Sequence, residues 1–137
     1  MNHEDTKTQR KPIGEEVERV ATAVVDAAFR VHSGLGPGLL ESAYELCLVH
    51  VLTKRGLKVE RQVTVPIDFD GARLDAGFRL DLLVEECLVV EVKAVEAIAP
   101  VHKAQVLTYL KLTGHRLGFL INFNVPLIRD GIKRIAL

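Results

Sequence analysis

Three charged side chains interrupt two otherwise apolar segments of the sequence. Asp81 lies in the segment 79–84, and Glu91 and Lys93 lie in the segment 88–94. Two carboxylates with one ammonium group leave a net negative site, which suits a hard divalent cation such as Mg²⁺. A lysine beside such an ion can position a water or stabilise a phosphorane-like transition state. The pattern indicates phosphodiester hydrolysis, with a structural ion pair between Lys93 and the carboxylates as the alternative.

The geometry of this group depends on how two strands pair. Glu91 and Lys93 are two residues apart, so they point to the same face of one strand. If residues 85–87 form a three-residue loop, Asp81 falls opposite Glu91, whereas a two-residue turn places Asp81 across from Val90. The second register would leave a lone buried carboxylate on each face, which is costly. We therefore expect the three-residue loop.

Two predicted helices carry further polar residues at helical spacing. Glu41 and Tyr44 are three residues apart on one helix, and His102, Gln105 and Tyr109 form a stripe on another. Both tyrosines are also consistent with core aromatic residues whose hydroxyl is solvated. His102 is also consistent with a surface histidine near the start of a helix. For Glu41 and Gln105 a structural and a functional role are both open.

Hydrophobic periodicity predicts the elements that must position these residues. Helical spacing predicts helices over 14–32, 39–55 and 100–113. Alternating or continuous apolar segments predict strands over 59–67, 72–84, 88–94, 118–123 and 132–137, with Asp70-Gly71 as a hairpin turn. The order α-α-β-β-β-α-β-β indicates an α/β (α+β) fold, with one mixed sheet flanked by helices. Residues 1–12 are predicted to form a flexible N-terminal arm, and residues 13–137 a single domain.

Composition excludes several classes of protein. The chain has 137 residues and equal numbers of basic and acidic side chains, 18 of each, which excludes a strongly basic, histone-like nucleic-acid binder. No apolar run approaches the roughly 20 residues of a membrane helix, so no membrane partner is expected. Cys47 and Cys87 lie in apolar segments, as buried thiols of a reducing compartment do, and predict a cytoplasmic location.

The polar residues occur within strings that resemble a known family. Residues 38–44, Gly-Leu-Leu-Glu-Ser-Ala-Tyr, match the G-x-x-E-x-x-Y signature and resemble the GxxExxY proteins. The similarity continues through further strings and covers nearly all of the chain from Gly14 to Leu137; these strings are 56–62, 77–84, 91–96, 102–105, 109–114 and 121–124.

That family is similar to small members of the PD-(D/E)XK nuclease superfamily, which implies a restriction-endonuclease-like α-β-β-β-α-β core. The resemblance implies that Glu41 is the helix glutamate, Asp81 the strand aspartate, and Glu91 with Lys93 the E-x-K pair. The resemblance also implies that the Val92 carbonyl is a further metal ligand. Gln105 and Tyr109 match the Q-x-x-x-Y pair of RecB-type nucleases.

The resulting expectation is a nuclease that uses Mg²⁺ or Mn²⁺ and acts on DNA, or less readily on RNA. The expected metal ligands are Asp81, Glu91, Val92 and Glu41; the expected catalytic residues are Lys93, Glu91, Asp81, Glu41 and Gln105; the expected substrate-binding residues are Tyr109, Tyr44 and His102. A second copy of the chain is a further expected partner, because no large insertion is present to read a substrate. The alternative is a non-catalytic nucleic-acid-binding or oligomeric assembly module that retains the nuclease fold.

Overall fold

A computed structural model describes residues 12–137, which form three α-helices, a short 3₁₀ helix and seven strands. All of the predicted N-terminal arm except Pro12 lies outside the described residues. The helices are α1 (Glu15–Leu35), α2 (Glu41–Lys54) and α3 (Pro100–Thr113), and the 3₁₀ helix is Ile128–Asp130. The strands are β1 (Val59–Thr64), β2 (Ile67–Phe69), β3 (Ala72–Leu74), β4 (Arg79–Val84), β5 (Leu88–Lys93), β6 (Leu117–Asn122) and β7 (Ile132–Ala136).

Five of the strands form one mixed sheet in the order β1-β4-β5-β6-β7. β5 and β6 pair in parallel, and every other neighbouring pair in this sheet is antiparallel. α3 connects the two parallel strands, which need a long crossover. The predicted α+β class, with a mixed sheet flanked by helices, is confirmed.

Side chains on the two faces of the sheet enter two separate cores. Leu82 and Val90 are paired across β4 and β5 and pack in the core that also contains residues of α1 and α2. The neighbouring pair, Leu83 and Val89, packs in the second core, against α3. Because successive strand residues point to opposite faces, Glu91 shares the α3 side of the sheet with Val89.

The helix boundaries follow from local chemistry. Pro100 occupies the first turn of α3, where its missing N–H costs nothing. α3 ends at Gly114, whose φ of 75° is the left-handed conformation that glycine adopts readily. In the described part of the chain, no helix combines the length and the apolar character needed to cross a bilayer.

Two of the predicted strands are wrong in their extent. The predicted strands 59–67 and 72–84 are each divided, and their inner parts, β2 and β3, form a separate two-stranded hairpin. Pro66 has no N–H to donate to a ladder. Gly77 has a φ of 76° and donates its N–H to the Asp75 carboxylate at 3.0 Å. Five strands instead of three therefore precede α3.

The turn between β4 and β5 is the predicted three-residue loop. Val84 pairs with Leu88, so residues 85–87 lie outside the ladder. Glu85 and Glu86 both have positive φ, 51° and 56°, and the Cys87 N–H donates to the Val84 carbonyl at 3.1 Å. This register places Asp81 opposite Glu91.

Candidate active site

Asp81 and Glu91 are joined by hydrogen bonds that cross between their strands. The β4–β5 ladder ends at the pair Leu82 and Val90. Beyond it, the backbone N–H of Asp81 donates to Glu91 Oε1 at 2.8 Å, and the N–H of Val92 donates to Asp81 Oδ2 at 2.8 Å. Each carboxylate thus accepts an amide of the neighbouring strand, and the two acids lie side by side.

The electrostatics of this pair favour a cation. Glu91 is only 2% exposed. Burial and the negative charge of Asp81 raise the pKa of Glu91 to about 8, although the Asp81 N–H and the more distant charge of Lys93 lower it. A positive ion beside the two carboxylates would relieve this repulsion and ionise Glu91.

Lys93 is half-buried and lines a groove of about 490 Å³ between β5 and α3. The other lining residues are Phe78, Val101, His102, Ala104, Gln105 and Thr108. Among residues 12–137, no carboxylate lies within 4.0 Å of the Lys93 ammonium group. The structural ion pair considered as an alternative is therefore not the arrangement found. Lys93 thus lines the groove without an ion pair to a described carboxylate.

Glu41 lies at the start of α2, next to the end of β5. Its Oε2 accepts the backbone N–H of Ala94, the residue after Lys93, at 3.3 Å. The structure does not draw Glu41 together with Asp81 and Glu91. Within residues 12–137, no three His, Cys, Asp or Glu side chains are grouped closely enough to hold a metal ion.

The donor atoms that are present nevertheless fit a magnesium-type ion. Mg²⁺ is commonly held by one or two carboxylates and keeps several waters. Asp81 and Glu91 provide two carboxylates. The Val92 N–H faces Asp81, and since the N–H and C=O of a strand residue point to the same side, the Val92 carbonyl faces β4 as well. Glu41 would act through a water.

His102 and Gln105 lie in the groove with Lys93, while Tyr109 lies beneath it. Nδ1 of His102 accepts the Ala99 N–H at 3.0 Å, so the proton of the neutral imidazole is on Nε2. Tyr109 is 2% exposed and donates its hydroxyl to the Arg79 carbonyl at 3.0 Å. Burial and then the charges of Glu91 and Asp81 raise the pKa of Tyr109 to about 12, against a hydrogen bond from Gln105.

Tyr44 occupies a different place from the one expected of a substrate-binding residue. Its ring is fully buried and stacks on Phe123 with a centroid distance of 4.6 Å. Its hydroxyl donates to the Gly36 carbonyl at 2.6 Å and accepts the Leu39 N–H at 3.1 Å. No surface of Tyr44 is left for a substrate. Its role here is to hold the loop that leads to Glu41.

A second polar group, which was not among the predicted site residues, contacts Asp81. Glu45 is 6% exposed, and its Oε2 accepts Arg61 Nε at 3.2 Å and Nη2 at 2.7 Å. Gln62 Nε2 donates to Glu45 Oε1 at 2.9 Å and to Asp81 Oδ1 at 3.4 Å. The sequence feature that could have indicated Glu45 is its position one helical turn after Glu41, on the same side of α2.

Asn122 was also missed, although it is buried at the end of β6 and paired with Lys93. Its Oδ1 accepts the N–H groups of Val95 and Asn124 at 3.0 and 3.1 Å. Its Nδ2 donates to the Val95 carbonyl at 2.9 Å. These bonds hold the segment that runs from Lys93 towards α3. The sequence feature that could have indicated Asn122 is an amide side chain at the end of an otherwise apolar strand.

A family model described as the PD-(D/E)XK nuclease superfamily matches residues 18–135, which include both carboxylates, Lys93 and all of the groove. Searches of curated proteins and of solved structures find no match for the chain.

Proposed function

The chain belongs to the PD-(D/E)XK nuclease superfamily, and from that premise we propose that it is a metal-dependent nuclease that hydrolyses phosphodiester bonds of DNA. One observation carries the proposal. Asp81 and Glu91 lie side by side through their cross-strand hydrogen bonds, and Lys93 lines the adjoining groove without an ion pair to a described carboxylate. A purely structural ion triad would have no reason to leave this lysine unpaired.

In this proposal Asp81, Glu91 and the Val92 carbonyl hold Mg²⁺ or Mn²⁺, with Glu41 bonded through a water. Such a cation, when bound, neutralises charge on phosphate oxygens and lowers the pKa of a water. The protein's own contribution is to keep both acids side by side on neighbouring strands. Glu91 is buried and Asp81 is half-buried, and this partial removal from water strengthens their charge interactions.

The groove provides the contacts to the substrate. We assign Lys93 to the scissile phosphate, where its ammonium group would stabilise the charge that develops as the attacking water adds. The Gln105 amide and the Nε2–H of His102 would donate to neighbouring phosphate or base oxygens along the same groove. Tyr109 supports the site from below by bonding the backbone of Arg79 in β4.

Several finer assignments belong to the same proposal. The string 38–44 resembles the G-x-x-E-x-x-Y signature and supports assigning the chain to the GxxExxY group. Cys47 and Cys87 are free thiols, in keeping with a cytoplasmic location. The net charge of zero gives no broad attraction for polyanions, so a metal ion or a second copy of the chain would supply part of the affinity. The choice of DNA over RNA is part of the proposal and is tested with matched DNA and RNA substrates.

A non-catalytic binding or assembly module is the second candidate. The observation that favours it is the lack, within residues 12–137, of a preformed group of three acidic ligands. In that case the Asp81–Glu91 pair would share a proton and serve only the fold.

The test is cleavage of labelled single-stranded, double-stranded and branched DNA, and of matched RNA, with Mg²⁺, Mn²⁺ or a chelator. We expect metal-dependent cleavage of at least one DNA substrate, and loss of that cleavage in an Asp81→Asn, Glu91→Gln double variant. Asp75→Asn, which changes an exposed carboxylate outside the site, is the matched control. Equal cleavage by the wild type and the double variant would reject the proposal. Cleavage of nothing by a folded wild type would favour the binding module.

A further inference from the structure

We propose that Gln62 is a positioning residue that holds the Asp81 carboxylate in its working orientation by tying it to the Glu45–Arg61 pair. The inference rests on the proposed function only where cleavage or Mn²⁺ affinity is the readout. The evidence is the backbone conformation of Gln62, its two side-chain contacts and the anchoring of Glu45.

The backbone of Gln62 is unusual for a strand. The ladder pairs Arg61 with Leu82 and Val63 with Leu80, so Gln62 lies directly opposite Asp81 on β4. Its φ is 50°, in the left-handed region that side-chain-bearing residues seldom adopt inside a strand. Such conformations persist where the surrounding contacts determine them, and they concentrate at functional sites. The departure from strand geometry occurs at the residue that faces the candidate metal ligand.

The side chain of Gln62 spans two carboxylates. Its Nε2 donates to Glu45 Oε1 at 2.9 Å and to Asp81 Oδ1 at 3.4 Å. The other oxygen of Asp81, Oδ2, accepts the Val92 N–H. Both oxygens of Asp81 therefore accept a hydrogen bond, a long one from the exposed Gln62 of β1 and a shorter one from Val92 of β5, and rotation of the carboxylate would break one of them.

Arg61 holds Glu45, the residue at the other end of the Gln62 bridge, in place. Glu45 is buried, and the Arg61 guanidinium donates to its Oε2 from both Nε and Nη2. A neutral amide suits the position between Glu45 and Asp81. A lysine there would neutralise charge that a cation needs, and a glutamate would add a third carboxylate. Glutamine donates to both acids and leaves the negative charge of the site unchanged.

The experiment compares wild type with Gln62→Leu and Gln62→Gly. Leucine keeps the size and loses the bridge, whereas glycine loses the bridge and relieves the backbone strain. Thr64→Ala, an exposed position two residues along β1, is the matched control. Hydrogen exchange of the Val92 amide is read without metal or substrate, with the Ile121 amide of β6 as the internal reference. Cleavage kinetics and Mn²⁺ affinity by calorimetry are measured in parallel.

We expect Val92 exchange to accelerate by about tenfold or more in both Gln62 variants, with Ile121 unchanged. We expect kcat and Mn²⁺ affinity to fall by roughly 10–100-fold, as for other residues that orient a metal ligand, with KM nearly unchanged. Unchanged Val92 exchange in both variants would overturn the proposal, and so would equal acceleration at Val92 and Ile121, which reports general destabilisation. If wild type cleaves nothing, the nuclease proposal fails, and the metal-free exchange alone decides the role of Gln62.

Discussion

Glu91 accepts the backbone N–H of Asp81 at 2.8 Å, so a buried carboxylate lies against the residue whose own negative charge opposes its ionisation. The hydrogen bond keeps the two acids together, and burial makes their joint ionisation costly. An arrangement of this kind is stable either with a shared proton or with a bound cation.

Without metal, the protein should lose stability as the pH rises towards neutrality. Burial and Asp81 raise the pKa of Glu91 from 4.5 to about 8. A carboxyl group whose pKa is higher in the folded than in the unfolded state contributes its full stabilisation below pH 4.5. That contribution is lost as the pH rises through about 8. Chemical denaturation in a chelator at a series of pH values should show a loss of roughly 3–5 kcal/mol over this range.

The control for this pH dependence is Glu91→Gln, which cannot ionise and keeps a similar shape. The variant should show a flatter profile, and the difference from wild type should lie between pH 4.5 and 8. A wild-type protein whose unfolding free energy rises with pH over this interval, relative to the variant, would contradict the raised pKa of Glu91.

Added metal should reverse the loss at neutral pH. A ligand that binds only the folded state stabilises it by about 2.7 kcal/mol at one hundred times its Kd. We expect Mn²⁺ or Mg²⁺ to raise the thermal midpoint of wild type at pH 7.5 to 8 and to leave the Asp81→Asn, Glu91→Gln double variant unchanged. The same shift in both proteins would place the cation elsewhere.

The register of the site could be predicted from the sequence, because the cost of an isolated buried charge selects one pairing of Asp81 and Glu91. The contacts of Gln62 with Glu45 and Asp81 could not be predicted. They depend on β1 pairing with β4, and on a positive φ that no residue preference of glutamine indicates. The structure places Tyr44 in the core and not at the substrate groove, and the sequence could not show this for a related reason. Its spacing after Glu41 fits both a site and a core position, and only its stacking on Phe123 decides between them.

Removing Arg61 should test how firmly Glu45 is anchored. Arg61→Met keeps an apolar stem but leaves the buried Glu45 carboxylate bonded only to Gln62. Hydrogen bonds to charged groups contribute about 1.5–3 kcal/mol each, and the partial exposure of Arg61 favours the lower end. We expect a loss of roughly 1–3 kcal/mol in urea denaturation. Arg129→Met, at an exposed arginine of the 3₁₀ helix, should change stability little.

Asn122→Ala should loosen the segment that follows Lys93. The substitution removes three hydrogen bonds from the partly buried backbone of Val95 and Asn124. Both N–H groups lose their partner, and the Val95 carbonyl keeps only the Asn124 Nδ2 donor at 3.5 Å. Each unsatisfied group costs roughly 1–3 kcal/mol. We expect a clear loss of stability together with faster amide exchange at Val95. Slow exchange at Val95 in the variant would show that other contacts hold this segment.

Lys93→Ala separates an enzyme from a scaffold most directly. In the structure Lys93 lines the groove and its ammonium group has no ion pair with a described carboxylate, so its loss should change the thermal midpoint little. In the nuclease its charge acts on the reacting phosphate, and removing one such preorganised group costs roughly 10²–10³ in rate. We expect cleavage to fall by that factor while stability is retained.

Lys111→Ala, at an exposed lysine near the end of α3, should affect neither measurement. If Lys93 instead served only to neutralise Asp81 and Glu91, its loss would destabilise the fold by roughly 3–5 kcal/mol, as a broken buried pair does. A wild type without cleavage, together with a Lys93 variant destabilised to that extent, would establish the scaffold in place of the enzyme.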